Sequence, residues 1–269
     1  KQSEALSAKM KSYEPEEAVS QSTKPTRRRA SLNKSPSSRP HLELSGNINL
    51  TNNGFSFIPL FSLGKPAATV NLSVTGKRFS FDPQLRFDLD GLKPWSLLFG
   101  WNYKLLKKNR LLFRVGTSFV YAFTKLNYTR NSESVDILTP QRFFILNSLL
   151  NYKVSKKINF TLFYINGHGL EKRDQSDQAN FVTIRTGVNN LSLTDSIHIN
   201  FNPEIYFLQI DNNSGFYFAN TFALKHKKIP FFISSTLNQS ISTSINAKPF
   251  DWNIGINYSF RSTYSKKQN

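Results

Sequence analysis

Not one of the 269 residues is a cysteine, which removes disulfides, thiolate nucleophiles, cysteine-based zinc sites and a lipidated N-terminal cysteine. Histidine is scarce too: His41, His168, His198 and His226 are the whole set, and no pair has metal-ligand spacing. The chain holds neither a G-x-S-x-G elbow nor a phosphate-cradling glycine loop. No apolar run approaches the ~18 residues of a membrane helix, and apolar spacing at i, i+3, i+4 is missing over nearly the whole length. Aromatics, by contrast, are abundant, with 24 Phe, 10 Tyr and 3 Trp making 14% of the chain, while mean hydropathy stays negative. Apolar residues are therefore interleaved with polar ones, and alternation with period two recurs throughout. This is an all-β pattern.

Residues 1–40 stand apart. They are poor in apolar residues, rich in Ser, Lys, Glu, Arg and Pro, and carry nine Lys or Arg against four acids. Such a segment buries too little surface to offset its ordering entropy and reads as a flexible basic extension. The chain opens at Lys1 with no hydrophobic leader, which reads as a mature form whose signal peptide has been removed.

From residue 41 onward, strands are expected near 41–50, 67–75, 78–90, 94–105, 110–124, 141–154, 157–166, 179–192, 196–209, 215–226, 229–242 and 250–261. Phe79, Phe81, Leu85, Phe87 and Leu89 alternate with Ser80, Asp82, Gln84, Arg86 and Asp88, placing the two sets on opposite faces. Every second connection is short (TGKR, LKKNR, VSKKI, LTDS, HKKIP), and most of the others are longer, such as TNNGFSFIPLFSLGKP and KLNYTRNSESVDILT.

The last strand, DWNIGINYSF, ends the apolar series Trp252, Ile254, Ile256, Tyr258, Phe260. In water it would be an aggregating edge, and in a closed barrel it has a partner. Its spacing, with polar Asn253, Gly255, then aromatics Tyr258 and Phe260, resembles the C-terminal assembly signal of Gram-negative outer-membrane β-barrels, although nine residues follow Phe260. The resemblance spans about residues 41–261 and implies a twelve-stranded antiparallel transmembrane barrel, residues 41–262, with tight periplasmic turns and longer outer loops. Both termini, including a basic tail at 263–269, would be periplasmic, and the connections 51–66, 125–140 and 168–178 would lie outside. Asn253, Gly255, Tyr258 and Phe260 would form the assembly signal.

An internal repeat pairs NLSVTGKRFSFDPQLRF (from Asn71) with NLSLTDSIHINFNPEIYF (from Asn190), and the offset that sets Pro83 on Pro203 also lays Lys107-Lys108 on Lys227-Lys228. Two duplicated six-strand halves are the natural inference. Bulges are expected near both prolines.

Inward polar positions include Glu43, Asp82, Arg86, Asp88, Arg114, Arg185, His198 and Glu204, which could set up a solute-selecting transverse field or simply pair with one another. A basic set crowds the short turns: Lys77, Arg78, Lys104, Lys107, Lys108, Arg110, Lys153, Lys156, Lys157, Lys225, Lys227 and Lys228, opposed there by Asp195. With Arg27, Arg28 and Arg29 of the tail, these fit anionic lipid headgroups or an acidic periplasmic protein better than nucleic acid. No cofactor or metal is expected. Three functional readings follow: a non-enzymatic accessory subunit of an outer-membrane assembly, docking through tail and rim; a channel for small solutes or lipids; and a membrane-embedded hydrolase with His168 as general base. The tail either reaches an acidic partner or threads into the barrel as a plug.

Overall fold

The computed structural model describes residues 41–130, 133–171 and 176–265. Twelve strands follow one another: β1 (His41–Thr51), β2 (Ala67–Thr75), β3 (Phe79–Asp88), β4 (Lys93–Lys107), β5 (Leu111–Arg130), β6 (Glu133–Lys153), β7 (Ile158–Gly169), β8 (Gln178–Ser192), β9 (Ile197–Ile210), β10 (Asn213–His226), β11 (Phe231–Thr243) and β12 (Phe250–Ser265). Each pairs antiparallel with its sequence neighbours, and β12 closes on β1 along a ladder from His41↔Ser265 to Thr51↔Gly255. Closure leaves no unpaired strand edge. Among the described residues there is no helix.

Period-two alternation decides which side of the wall each residue occupies. On β12, Trp252, Ile254, Ile256 and Tyr258 are exposed on the outer surface, and Asn253, Gly255 and Asn257 are buried inside. The same outer surface carries Leu162, Tyr164, Ile205, Phe216, Phe218 and Ile233, all exposed. Apolar area left in water costs roughly 25 cal/mol per Å², so a band of this extent belongs against hydrocarbon. The wall crosses a membrane.

The end where β1 begins and β12 finishes is called the base, and the opposite end the mouth. Base connections are uniformly tight: 76–78, 108–110, 154–157, 193–196 and 227–230. Mouth connections are less regular than their sequence predicts. The stretches 89–92 and 211–212 are also tight, closed by Leu92 and Asp211, each at φ 50°. The expected loop over 125–140 is mostly strand: β5 has 20 residues and β6 has 21, with rungs continuing to Arg130↔Glu133. A membrane needs only about 9–11 residues per strand, so this hairpin runs past the hydrocarbon. Val135 and Ile137 continue the alternation that carries it.

Bulges do lie near both prolines, but not at the prolines themselves. Pro83 stays in register with Phe99, and Pro203 with Asn220. On the other side of each proline the ladder skips two rungs and resumes unshifted, between Asn71↔Gln84 and Val74↔Phe81 and again between Arg185↔Glu204 and Val188↔Phe201. A missing N–H opens the ladder without adding a residue. Register shifts fall near the prolines, at Arg86/Phe87 just beyond Pro83 and at Val188/Leu191 opposite the residues just before Pro203, and also at Lys104/Leu106 and Phe216/Tyr217. The repeat places Pro83 and Pro203 at matching points of β3 and β9, but its two NLS triplets differ: Asn71 sits in a regular rung and Asn190 in the β8 irregularity at φ 54°.

Candidate functional site

The β1–β2 connection, residues 52–66, was expected outside and instead folds into the barrel. Its sequence explains why. Phe55, Phe57, Ile58, Leu60 and Phe61 would stand in water as an outer loop, and inside they are 0–7% exposed. Burying each such side chain stabilises by roughly 1.5–3 kcal/mol. The segment makes its own small hairpin, with Phe55 bridged to Ser62, Leu63 N donating to Gly54 O at 2.7 Å and Ser56 N to Phe61 O at 2.7 Å. Gly54 permits entry, because a Cβ there would stand 2.7 Å from the Ala67 Cβ and 2.9 Å from Trp95 Cζ3.

The hairpin tip meets an apolar wall. Phe57 packs edge-on against Phe163 (5.1 Å between centroids) and Phe181 (5.7 Å). The Tyr206 hydroxyl donates to Asn238 Oδ1 at 2.7 Å and is also hydrogen-bonded by the backbone of Leu60. Leu98, Val120, Phe143, Ile145, Leu208 and Ile210 complete this surface. Water-filled barrels are polar within; the wall that receives this hairpin tip is not.

Polar ties hold the root of the hairpin. Asn53 Nδ2 donates to Asp251 Oδ1 at 3.0 Å and to Trp252 O at 3.2 Å, and Ser62 Oγ donates to the other Asp251 oxygen. Asn53 Oδ1 accepts from Gly64 N at 2.9 Å, and Lys248 Nζ lies 3.6 Å from Asp251. Lys65 binds Asp90 at 3.2 Å on the exposed rim. Their hydrogen bond raises the Lys65 pKa and lowers that of Asp90. Since the folded Asp90 value is the depressed one, its small contribution is complete above the ordinary carboxylate range and is lost as acid protonates it.

The rest of the interior is polar, both beside the hairpin root at the mouth, where Arg86 and Asp88 end β3, and below the hairpin. Asp82, 8% exposed, accepts from Ser73 at 2.5 Å, Ser80 at 2.7 Å and Asn102 at 2.8 Å. Arg86, wholly buried, donates to Ser96 Oγ at 2.9 Å and to Gln84, under the face of Trp95 at 5.6 Å. Glu204 accepts from Arg185 Nη2 at 2.9 Å and Thr183 Oγ1 at 3.0 Å. Glu43 lies 3.5 Å from Arg261 near the base, and Asp88, 8% exposed, caps Asp90 N at 2.8 Å. Arg114 is on the inner face opposite Lys104. Mutual pairing thus accounts for Arg185 with Glu204.

Most of the remaining sequence candidates lie apart from this interior. Lys107, Lys108, Lys156, Lys157, Lys227 and Lys228 are exposed at base turns. Arg27, Arg28 and Arg29 fall outside the described residues. Tyr258 and Phe260 lie on the outer face near the base, 6.3 Å apart, with Phe260 over Gly46. Asn253 and Gly255 of the same motif face inward, Asn253 Nδ2 donating to Asn53 O at 3.2 Å. His168 is exposed on β7, 2.6 Å from Asn166 Oδ1. Among the described residues no group of three or more His, Asp or Glu is arranged to hold a metal. Sequence reasoning missed Asn53, Phe57, Phe163, Phe181 and Asp251. The cue was available in the five large apolar residues inside one would-be outer loop.

Fold and interior together define a closed twelve-stranded barrel of outer-membrane porin type, with a hairpin of its own chain in the lumen. The chain is similar to the solved NanC porin (12% identity, 79% of this chain and 98% of that one, TM-score 0.50). It is also similar to the KdgM porin in complex with disordered oligogalacturonate (8%, 81% and 99%, 0.49) and to the COG4313 outer membrane channel from Pseudomonas putida F1 (11%, 86% and 100%, 0.44). At these identities the likeness is one of fold. No family model and no curated protein matches the chain.

Proposed function

We propose that this protein is a non-enzymatic outer-membrane channel that its own β1–β2 hairpin holds shut. The observation that carries the reading is the position of Phe57, Ile58, Leu60 and Phe61 inside the barrel, seated on the apolar wall yet tethered at the root by side-chain hydrogen bonds. Such a seat is made of non-covalent contacts alone. Moving the tip exposes a path from the mouth to the polar lower interior, whereas a purely structural barrel has no need of a plug separable from its wall. In this orientation the base and both termini face the periplasm, and the tight turns match the periplasmic side of such barrels.

The test is planar-bilayer recording on the intact protein and on a variant with residues 57–61 replaced by a Gly-Ser sequence. The wild type should be mostly silent and the variant should conduct steadily. A silent variant that still migrates as a folded, heat-modifiable barrel sinks the channel reading. A second reading, docking of the basic base on anionic headgroups, is favoured by the exposed Lys107, Lys108, Lys156, Lys157, Lys227 and Lys228; each is worth up to ~1 kcal/mol near such a surface. The two are compatible, since they use opposite ends of the barrel.

A further inference from the structure

One row of inward residues runs across adjacent strands from the base toward the mouth. Lys104 on β4 is opposite Arg114 on β5, Arg114 is opposite Leu149 on β6, and Leu149 is opposite Phe163 on β7. The row continues through Thr183 and Tyr206 to Tyr217, the two tyrosine rings stacked at 4.9 Å. It therefore begins with two cations and ends in an aromatic wall.

Both ends are unusual for a barrel interior. Like charges directly across a ladder repel. Lys104 is half-buried, with the cations Lys107 and Arg114 and the acids Asp82 and Glu43 around it. Two guanidinium nitrogens of Arg114 are shielded from solvent. Leu149, 1% exposed, adjoins this pair. At the apolar end, the wall around Phe163 and Phe181 is covered by Phe57, a side chain the same protein supplies. What the seat holds is thus visible: an apolar group no wider than a single ring.

We propose that the solute is a single-chain amphipathic carboxylate, whose anionic group is received by Lys104 and Arg114 and whose apolar chain lies along Leu149 and takes the place of Phe57 on Phe163 and Phe181. The inference rests on the channel reading. Strands stand about 4.8 Å apart, so Arg114 and Phe163, two strands apart, are separated by about 10 Å, the reach of a chain of roughly eight to ten carbons. The arrangement also couples ligand to gate. A chain that occupies the Phe57 seat competes with the tip, so binding favours the displaced hairpin. Asp82 and Glu43 give the opposite bias, holding the cations in the absence of solute.

Isothermal titration on the full chain in lipid nanodiscs, with empty nanodiscs subtracted, tests this with decanoate, decanol and acetate. Decanoate should bind saturably, and acetate and decanol at least tenfold more weakly. Lys104→Gln with Arg114→Gln should weaken decanoate about tenfold, and the 57–61 replacement should strengthen it because the tip no longer competes. Equal binding of decanoate and decanol, or no chain-length dependence on the wild type, overturns the proposal without recourse to any variant. Binding is read independently of conductance. A conducting 57–61 variant that ignores decanoate refutes the solute class alone, and a silent one that binds decanoate refutes the channel alone.

Discussion

Asn53 and Asp251, 198 positions apart in sequence, meet at 3.0 Å at the mouth, beside the seam where β12 closes on β1. The second Asp251 oxygen takes Ser62 from the returning arm of the hairpin. One carboxylate on β12 therefore ties both arms of the inserted segment. Hydrogen bonds to a charged group contribute roughly 1.5–3 kcal/mol. Asp251→Ala should leave the barrel folded and raise its open fraction about tenfold in bilayer recordings, since 1.4 kcal/mol is a factor of ten. Unchanged gating in that variant means the tip packing alone holds the hairpin.

Arg185 and Glu204 make the best-defined ion pair of the interior, with side chains 18% and 4% exposed. Removing one partner from a buried pair leaves a desolvated charge and costs about 3–5 kcal/mol, whereas replacing both with apolar residues is often neutral. Glu204→Leu alone should therefore lower the thermal midpoint clearly, and adding Arg185→Leu should recover most of the loss. Additive destabilisation, read by heat-modifiable mobility on gels, would show that the two residues act separately.

The barrel was legible in the sequence because period-two alternation and tight basic turns are local signals. Phe79 to Asp88, for example, alternates by itself, and β3 follows. The hairpin was not legible for the opposite reason. Whether Phe57 lies in water or on Phe163 depends on a wall contributed by strands a hundred residues later. The same holds for Asp251, whose partners come from the first connection. Pro83 and Pro203 drew attention to β3 and β9, but a proline can be accommodated by skipped rungs as well as by a bulge. Arg130↔Glu133 lies in a stretch whose Asn and Ser content reads as loop, and pairing along long neighbouring strands overrides that local preference.

Sidedness gives the last prediction. If the base is periplasmic, protease added to intact cells reaches the mouth only. The hairpin at 52–66 is buried against the wall, so Lys65 at its exposed root is the sole lysine or arginine through which trypsin could enter that segment. Lys65 is followed by Pro66, a bond trypsin cuts poorly, and it is tied to Asp90. Trypsin should therefore leave residues 52–66 intact, reach the 170–177 connection, and spare Lys107 to Arg110 until the outer membrane is permeabilised. The Asp251→Ala variant tested with a protease that cuts after aromatic residues should lose this protection at Phe55 to Phe61, as a released hairpin exposes them. Cleavage at Lys107 to Arg110 in sealed cells would place the base outside and reverse the orientation of the channel.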